Sequence, residues 1–149
     1  AFLGLDLPGS KVIVGDGPMR NVLEEQIDRL GLRTRVRMAG DQRDVLPWLQ
    51  ALDLFALPSY ANEGVPQALL QASLCALPIV TTAIGAIPEI AIDGDTALVV
   101  APQNVDALAQ AIEQLAQTPS LRAALGANAR ERARARFGPT SRMTRIAAR

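Results

Sequence analysis

The sequence predicts an α/β domain: a parallel sheet with helices on both faces. Three observations carry this reading. Short apolar runs alternate with longer stretches of helical period along most of the chain. The connections between them are short, which joins parallel strands through right-handed crossovers. Gly or Pro closes the runs, as at Gly15, Gly40 and Pro58. A chain of 149 residues suits one such domain and can bury a real core.

The elements follow in order. Lys11–Val14 (KVIV) reads as a buried strand closed by Gly15-Asp16-Gly17-Pro18. Residues 19–30 read as a helix, with Val22, Leu23, Ile27 and Leu30 on one face and Gly31 as the stop. Residues 35–38 form a second strand ending at Ala39-Gly40, and 44–52 a short helix. Arg33, Arg35 and Arg37 alternate with Thr34, Val36 and Met38, as on an edge strand with one exposed face. Leu54–Leu57 is a third strand, 66–77 a central helix broken by Pro78, and Ile79–Thr82 a fourth strand. A short helix over 87–92 and a fifth strand over 97–100 follow. Asn104 can cap a helix over Val105–Gln117, and 121–136 is a last amphipathic helix. Residues 1–7 resemble the tail of a helix with no strand before it, so the first strand-helix unit of such a sheet is expected to be missing.

Composition narrows the chemistry. Apolar residues make up 49% and charged residues 20%, an ordinary globular balance, and aromatics only 3%, so Leu, Ala, Val and Ile must build the core. There is no histidine, which removes a histidine base and every His-containing metal site. Single Cys75 lies in an apolar run and reads as a small hydrophobe. No signal peptide or membrane span is apparent, so a cytoplasmic location is expected, with peripheral contact at the inner membrane face as an option. Net charge is zero, yet residues 120–149 hold 8 arginines against Glu131 alone. A solvated arginine face is the plain reading, and a patch for anionic lipid or another domain is the sharper one. Nucleic acid is disfavoured, because only Phe137 interleaves the arginines.

In a sheet of this kind ligands bind outside the carboxyl ends of the strands. Four loops fall there: 15–18, 40–44, 59–64 and 84–88. The third is the most informative, because Glu63-Gly64-Val65-Pro66 stands directly before an almost wholly apolar helix. Proline suits a first helical turn, the N–H groups of Gln67 and Ala68 stay free there, and Gly64 permits close approach. Such a helix start accepts an anion such as a diphosphate, with Glu63 beside it to hold a hydroxylated group. Gln67 and Gln71 share a face four residues apart and need polar partners. Equally, Glu63 can be a solvated loop acid and Gln71 can bond a neighbouring backbone. Gly15-Asp16-Gly17-Pro18 can approach a phosphate or be a tight strand-to-helix turn; it is not a complete dinucleotide fingerprint. Glu89, after Gly85-Ala86-Ile87-Pro88, reads as a first-turn acid favoured by the helix dipole.

Taken together, VIVGDGP, VRMAG, DVLPWLQALDLFALPS, EGVPQALLQASLCALPIVTT, GAIPEI and DGDTALVV, in this order, resemble the C-terminal, donor-binding half of a retaining GT-B glycosyltransferase of glycosyltransferase family 4 (glycosyl transferases group 1). The resemblance runs from about Lys11 to Phe137 and implies a Rossmann-like half of a GT-B fold. It implies that Glu63 contacts the donor sugar, that Gly64 and Val65 help seat it, and that Pro66, Gln67 and Ala68 bind the diphosphate. The family's second glutamate, which grips the ribose, is Gln71 here. An amide can still accept and donate there, without the stronger charge-assisted bond.

The resemblance further places Gly40 and Gln42 against the nucleobase; Gly15 and Gly17, from their own Gly-rich turn, stand beside them as candidates for a nucleobase or phosphate loop. It requires no metal or cofactor beyond the nucleotide-diphosphate sugar. A basic pair that clamps the diphosphate, and a whole N-terminal acceptor domain, would precede Ala1. The implied activity is transfer to a glycan or lipid-linked acceptor, leaning to bacterial lipopolysaccharide or surface-polysaccharide assembly. A nucleotide-sugar epimerase of the same architecture and a non-catalytic binding module stand as alternatives.

Overall fold

The computed structural model describes residues 2–61 except 6–8, and residues 64–138; for residues 2–5 it describes the backbone alone. Among the described residues, six strands form one sheet: β1 (Phe2–Leu5), β2 (Lys11–Val14), β3 (Val36–Gly40), β4 (Leu54–Leu57), β5 (Ile79–Thr82) and β6 (Leu98–Val100). Among the same residues, the helices are α1 (Arg20–Arg29), α2 (Leu46–Gln50), α3 (Gln67–Leu74), α4 (Val105–Gln117) and α5 (Pro119–Phe137), with a 3₁₀ turn at Ile87–Glu89. The strand order is β3-β2-β1-β4-β5-β6. β2 pairs with β3 in parallel, and β4, β5 and β6 run parallel to one another.

The first segment departs from the sequence expectation. Residues 2–5 form a strand, not the tail of a helix, and it occupies the centre of the sheet, antiparallel to both β2 and β4. The physical reason is the link. Only five residues join Leu5 to Lys11, and a parallel pair needs a crossover of a dozen or more. A short apolar strand that pairs with its immediate successor must therefore run against it.

The sheet is packed on both faces, as parallel strands require. Along β4 the side chains alternate: Phe55 and Leu57 join one buried cluster with Leu49, Leu69, Ala72 and Ile79, while Leu54 and Ala56 join another with Val80, Ala111, Leu115 and Leu125. Helices α2 and α3 cover the first side and α4 the second. α5 contributes Leu125 to the second cluster and Ala129 to the first, so it wraps from one side to the other. Helix α1 buries no residue, and Met19, Val22 and Leu30 around it are 55%, 50% and 58% exposed.

Several boundaries moved. α3 stops at Leu74 rather than residue 77, because Ala76 takes a left-handed conformation at φ 58° and turns the chain before Pro78 is reached. The helix expected over 87–92 shrinks to its 3₁₀ turn, and β3 begins at Val36, leaving Arg33 and Arg35 in the preceding turn. β3 is an edge strand with Arg37 exposed, as the alternation predicts.

Candidate functional site

The site loop after β4 is fixed by two hydroxyls of the neighbouring strand. Thr81 Oγ1 donates to the Leu57 carbonyl at 2.8 Å and Thr82 Oγ1 to the Ser59 carbonyl at 2.6 Å, and both threonines are buried. The first bond reinforces the last β4–β5 pair, and the second extends the contact one step past it, setting where the chain leaves the sheet. In sequence Thr81 and Thr82 stand out only as strand residues; two hydroxyls at the carboxyl end of a buried strand are the available signal.

Glu63 and Asn62 lie outside the described residues. Gly64 is exposed, and a Cβ placed there would meet no atom within 4 Å, so the approach to its backbone is open. Val65 is half-buried against the core. Pro66 corrects the sequence expectation: it stands at the N-cap in extended conformation, φ −66° and ψ 125°, not inside the first turn. Proline has no side-chain acceptor, so the N-cap residue itself caps none of the first N–H groups of α3. Leu70 is the first residue whose N–H is taken by the helix, at 3.2 Å from the Pro66 carbonyl. The N–H groups of Gln67, Ala68 and Leu69 thus precede the helical ladder, and no acidic side chain sits in that turn to compete for them.

Gln67 is exposed while Gln71, one turn on, is half-buried. Gln71 lines a cavity of about 440 Å³ between α2, α3 and α5, together with Gln50, Leu74, Cys75 and Arg130. Burial pushes the Cys75 thiol up, and the Arg130 charge opposes this only in part, so the thiol is neutral at ordinary pH. A neutral, half-buried thiol matches the hydrophobe predicted from sequence.

The loops after β2 and β3 are tied together. Gly15 N–H donates to the Gly40 carbonyl at 2.7 Å, and both glycines have positive φ, 117° and 70°. A Cβ on Gly40 would press to 3.1 Å from Arg20 Nη1. Arg20 in turn pairs with Asp16 and Glu24, each at 2.9 Å, and the two carboxylates hold its guanidinium even more firmly protonated than usual. The Gly15–Gly17 turn thus holds Asp16 in an ion pair with Arg20, while Gly17 itself faces open space. Gln42 is also engaged within the protein: its amide donates to the Ala39 carbonyl at 2.7 Å and its oxygen accepts from the Trp48 indole at 3.1 Å. Arg37 stacks over the same indole, 5.4 Å from the ring centroid.

The arginine run of α5 is more than a solvated face. Asn128, Arg132 and Arg136 recur at intervals of four and so share a stripe. Asn128 Nδ2 donates to the carbonyl and carboxylate of Asp95, both at 3.1 Å. Arg132 places Nε and Nη2 on the Glu89 carbonyl at 3.1 and 2.9 Å, and Arg136 pairs with the Glu89 carboxylate at 2.7 Å. Arg122 Nη1 donates to the Leu115 and Ala116 carbonyls at 2.7 and 2.8 Å, closing the end of α4. The spacing of four was the sequence signal. Arginines 142, 145 and 149 lie outside the described residues. Among the described residues no helix is long and apolar enough to cross a membrane, and no cluster of His, Cys, Asp and Glu could hold a metal ion.

This arrangement has known counterparts. The lipopolysaccharide core biosynthesis glycosyltransferase LpsE of Rhizobium meliloti is 33% identical over 126 residues, covering 84% of this chain and 37% of LpsE. The solved structure of Anabaena Alr3699/HepE in complex with UDP-glucose superposes with a TM-score of 0.85 at 28% identity, over 97% of this chain and 41% of that one. The C-terminal domain of a glycosyl transferase group 1 family protein (LpcC) from Francisella tularensis shares the fold at a TM-score of 0.74 and 23% identity, over 82% of this chain and 64% of that one. This chain thus spans little more than a third of the length of LpsE. Its fold is that of the corresponding half of the GT-B glycosyltransferases. The family described as glycosyl transferases group 1 matches residues 10–132, and the chain belongs to it.

Proposed function

We propose that this chain is the donor-binding half of a retaining glycosyltransferase of family 4. It would move a sugar from a nucleotide-diphosphate sugar to a glycan or lipid-linked acceptor in lipopolysaccharide or surface-polysaccharide assembly. The observation that carries this is the start of α3, whose first N–H groups precede the helical ladder directly behind open Gly64 at the carboxyl edge of the sheet. These N–H groups suit a diphosphate, and they would stabilise charge developing on that group as it leaves. The HepE complex with UDP-glucose and the LpsE relative support the donor and acceptor classes respectively.

In this reading Glu63 orients the sugar, Gly64 and Val65 seat it, Pro66, Gln67 and Ala68 receive the diphosphate, and Gln71 meets the ribose. The acceptor site and a basic diphosphate clamp would belong to a preceding part of a longer enzyme. The half-bare α1 and the fraction of LpsE spanned both favour this. A location at the cytoplasmic membrane face fits a lipid-linked acceptor. Replacing Glu63 by Ala in the complete enzyme is expected to lower turnover by about 100-fold or more, the scale of a lost transition-state group, while UDP affinity changes little. Near-normal turnover would remove the role given to Glu63. A second reading, a non-catalytic nucleotide-sugar-binding module, draws on the amide at position 71; measurable transfer by the complete protein excludes it.

A further inference from the structure

We propose that Arg132 and Arg136 are positioning residues for the sugar end of the donor site, acting through the turn that follows β5; the inference rests on the donor-binding reading above. β4 and β5 are parallel neighbours, with Leu57 opposite Thr81, so the chains leaving them rise side by side. α3 joins these two strands. A sugar held above Gly64 and Val65 is therefore walled on one side by residues 83–86. This turn is short, passes through Gly85 at φ 57°, and keeps only Ile84 and Ala86 half-buried.

Its support comes from α5. Arg132 puts a two-pronged fork on the Glu89 main-chain carbonyl, and Arg136 takes the Glu89 carboxylate. A fork on a carbonyl senses where the backbone is, not which side chain it carries. The helix that bears both arginines is itself seated on α3: Gly126 packs so closely on the Ala76 carbonyl that no Cβ fits between them. α5 thus spans from the foot of α3 to the 3₁₀ turn at Ile87–Glu89, and through it holds the adjoining residues 83–86 relative to the helix that carries the diphosphate site. The Arg136–Glu89 pair is about half exposed, 48% and 46%, so it adds little to global stability and its loss leaves the fold intact.

The test is calorimetric titration of the full-length protein with two probes, UDP and UDP-glucose. UDP reports the helix start and the ribose contact; UDP-glucose adds the sugar. Arg132→Ala is expected to leave UDP affinity within about twofold and to weaken UDP-glucose about tenfold, with Arg132→Lys, which keeps one donor, falling between. Glu89→Gln keeps the carbonyl and the side-chain size and loses only the charge facing Arg136. Its expected loss is about threefold, for UDP-glucose alone. Equal weakening of both probes, or no change in either, overturns the positioning role while leaving the donor-binding reading in place. If the unsubstituted protein binds GDP or ADP and their sugars instead, those serve as the probe pair; binding of none of the UDP, GDP and ADP pairs overturns that reading, and this inference with it.

Discussion

An amide at position 71 changes the strength of a hydrogen bond without changing its reach. Gln71 is half-buried beside a cavity that also holds Gln50 and Arg130. If it meets the ribose, restoring a carboxylate makes that bond charge-assisted, which is roughly twice as strong as a neutral one. Gln71→Glu is expected to tighten UDP binding by about fivefold, a gain of about 1 kcal/mol, read by calorimetry. Unchanged affinity, with a raised melting temperature in the absence of nucleotide, would show the new carboxylate pairing with Arg130 instead and would remove the ribose role. Gln42 shows why loop contacts resist sequence reading. Its side chain is committed to Trp48 and Ala39, six residues ahead and three behind, and nothing in a Gly-Asp-Gln run announces that.

Among the elements, α3 and α5 set the geometry of the site. Gly126→Ala brings a methyl into the Ala76 carbonyl. Alanine's better helix propensity returns about 1 kcal/mol, but overpacking of this kind costs about 1–3 kcal/mol and here meets backbone that cannot swing away. A net loss is expected, seen as a lower denaturation midpoint; a rise would mean that the two helices separate freely. Regular elements were legible wherever periodicity and punctuation agreed. β2, β4, β5 and α4 lie where the sequence puts them, and Asn104 caps α4 by accepting from the Ala107 N–H at 2.9 Å. Legibility failed where tertiary context decides. The left-handed turn at Ala76 ends α3 early although alanine carries no turn signal. The segment before Lys11 became a strand because a vacant pairing slot outweighs local preference. In the site, the helix start was readable from Gly64-Val65-Pro66, while the Thr81, Thr82 and Arg132 bonds were not, since each joins segments more than twenty residues apart.

Over the whole molecule, burial is lopsided. The sheet from β4 to β6 is covered on both sides, whereas α1 leaves Met19, Val22 and Leu30 half open to water. An apolar face of this kind binds the dye ANS. The 149-residue chain is expected to enhance ANS fluorescence, and a longer protein that carries the proposed preceding strand-helix unit to abolish that signal. Equal fluorescence from both would mean that the preceding segment packs elsewhere. The opposite flank is measured out by α5. With a rise of about 1.5 Å per residue, Arg132 and Arg136 stand about 9 and 15 Å along the helix from Gly126. The bare Cα at Gly126 is then the zero mark of a ruler whose graduations are guanidinium groups. Lengthening the helix by one residue between 126 and 132 would turn both graduations by about 100° and miss Glu89 altogether. Along that interval, the chain tolerates exchange of one residue for another far better than insertion or deletion.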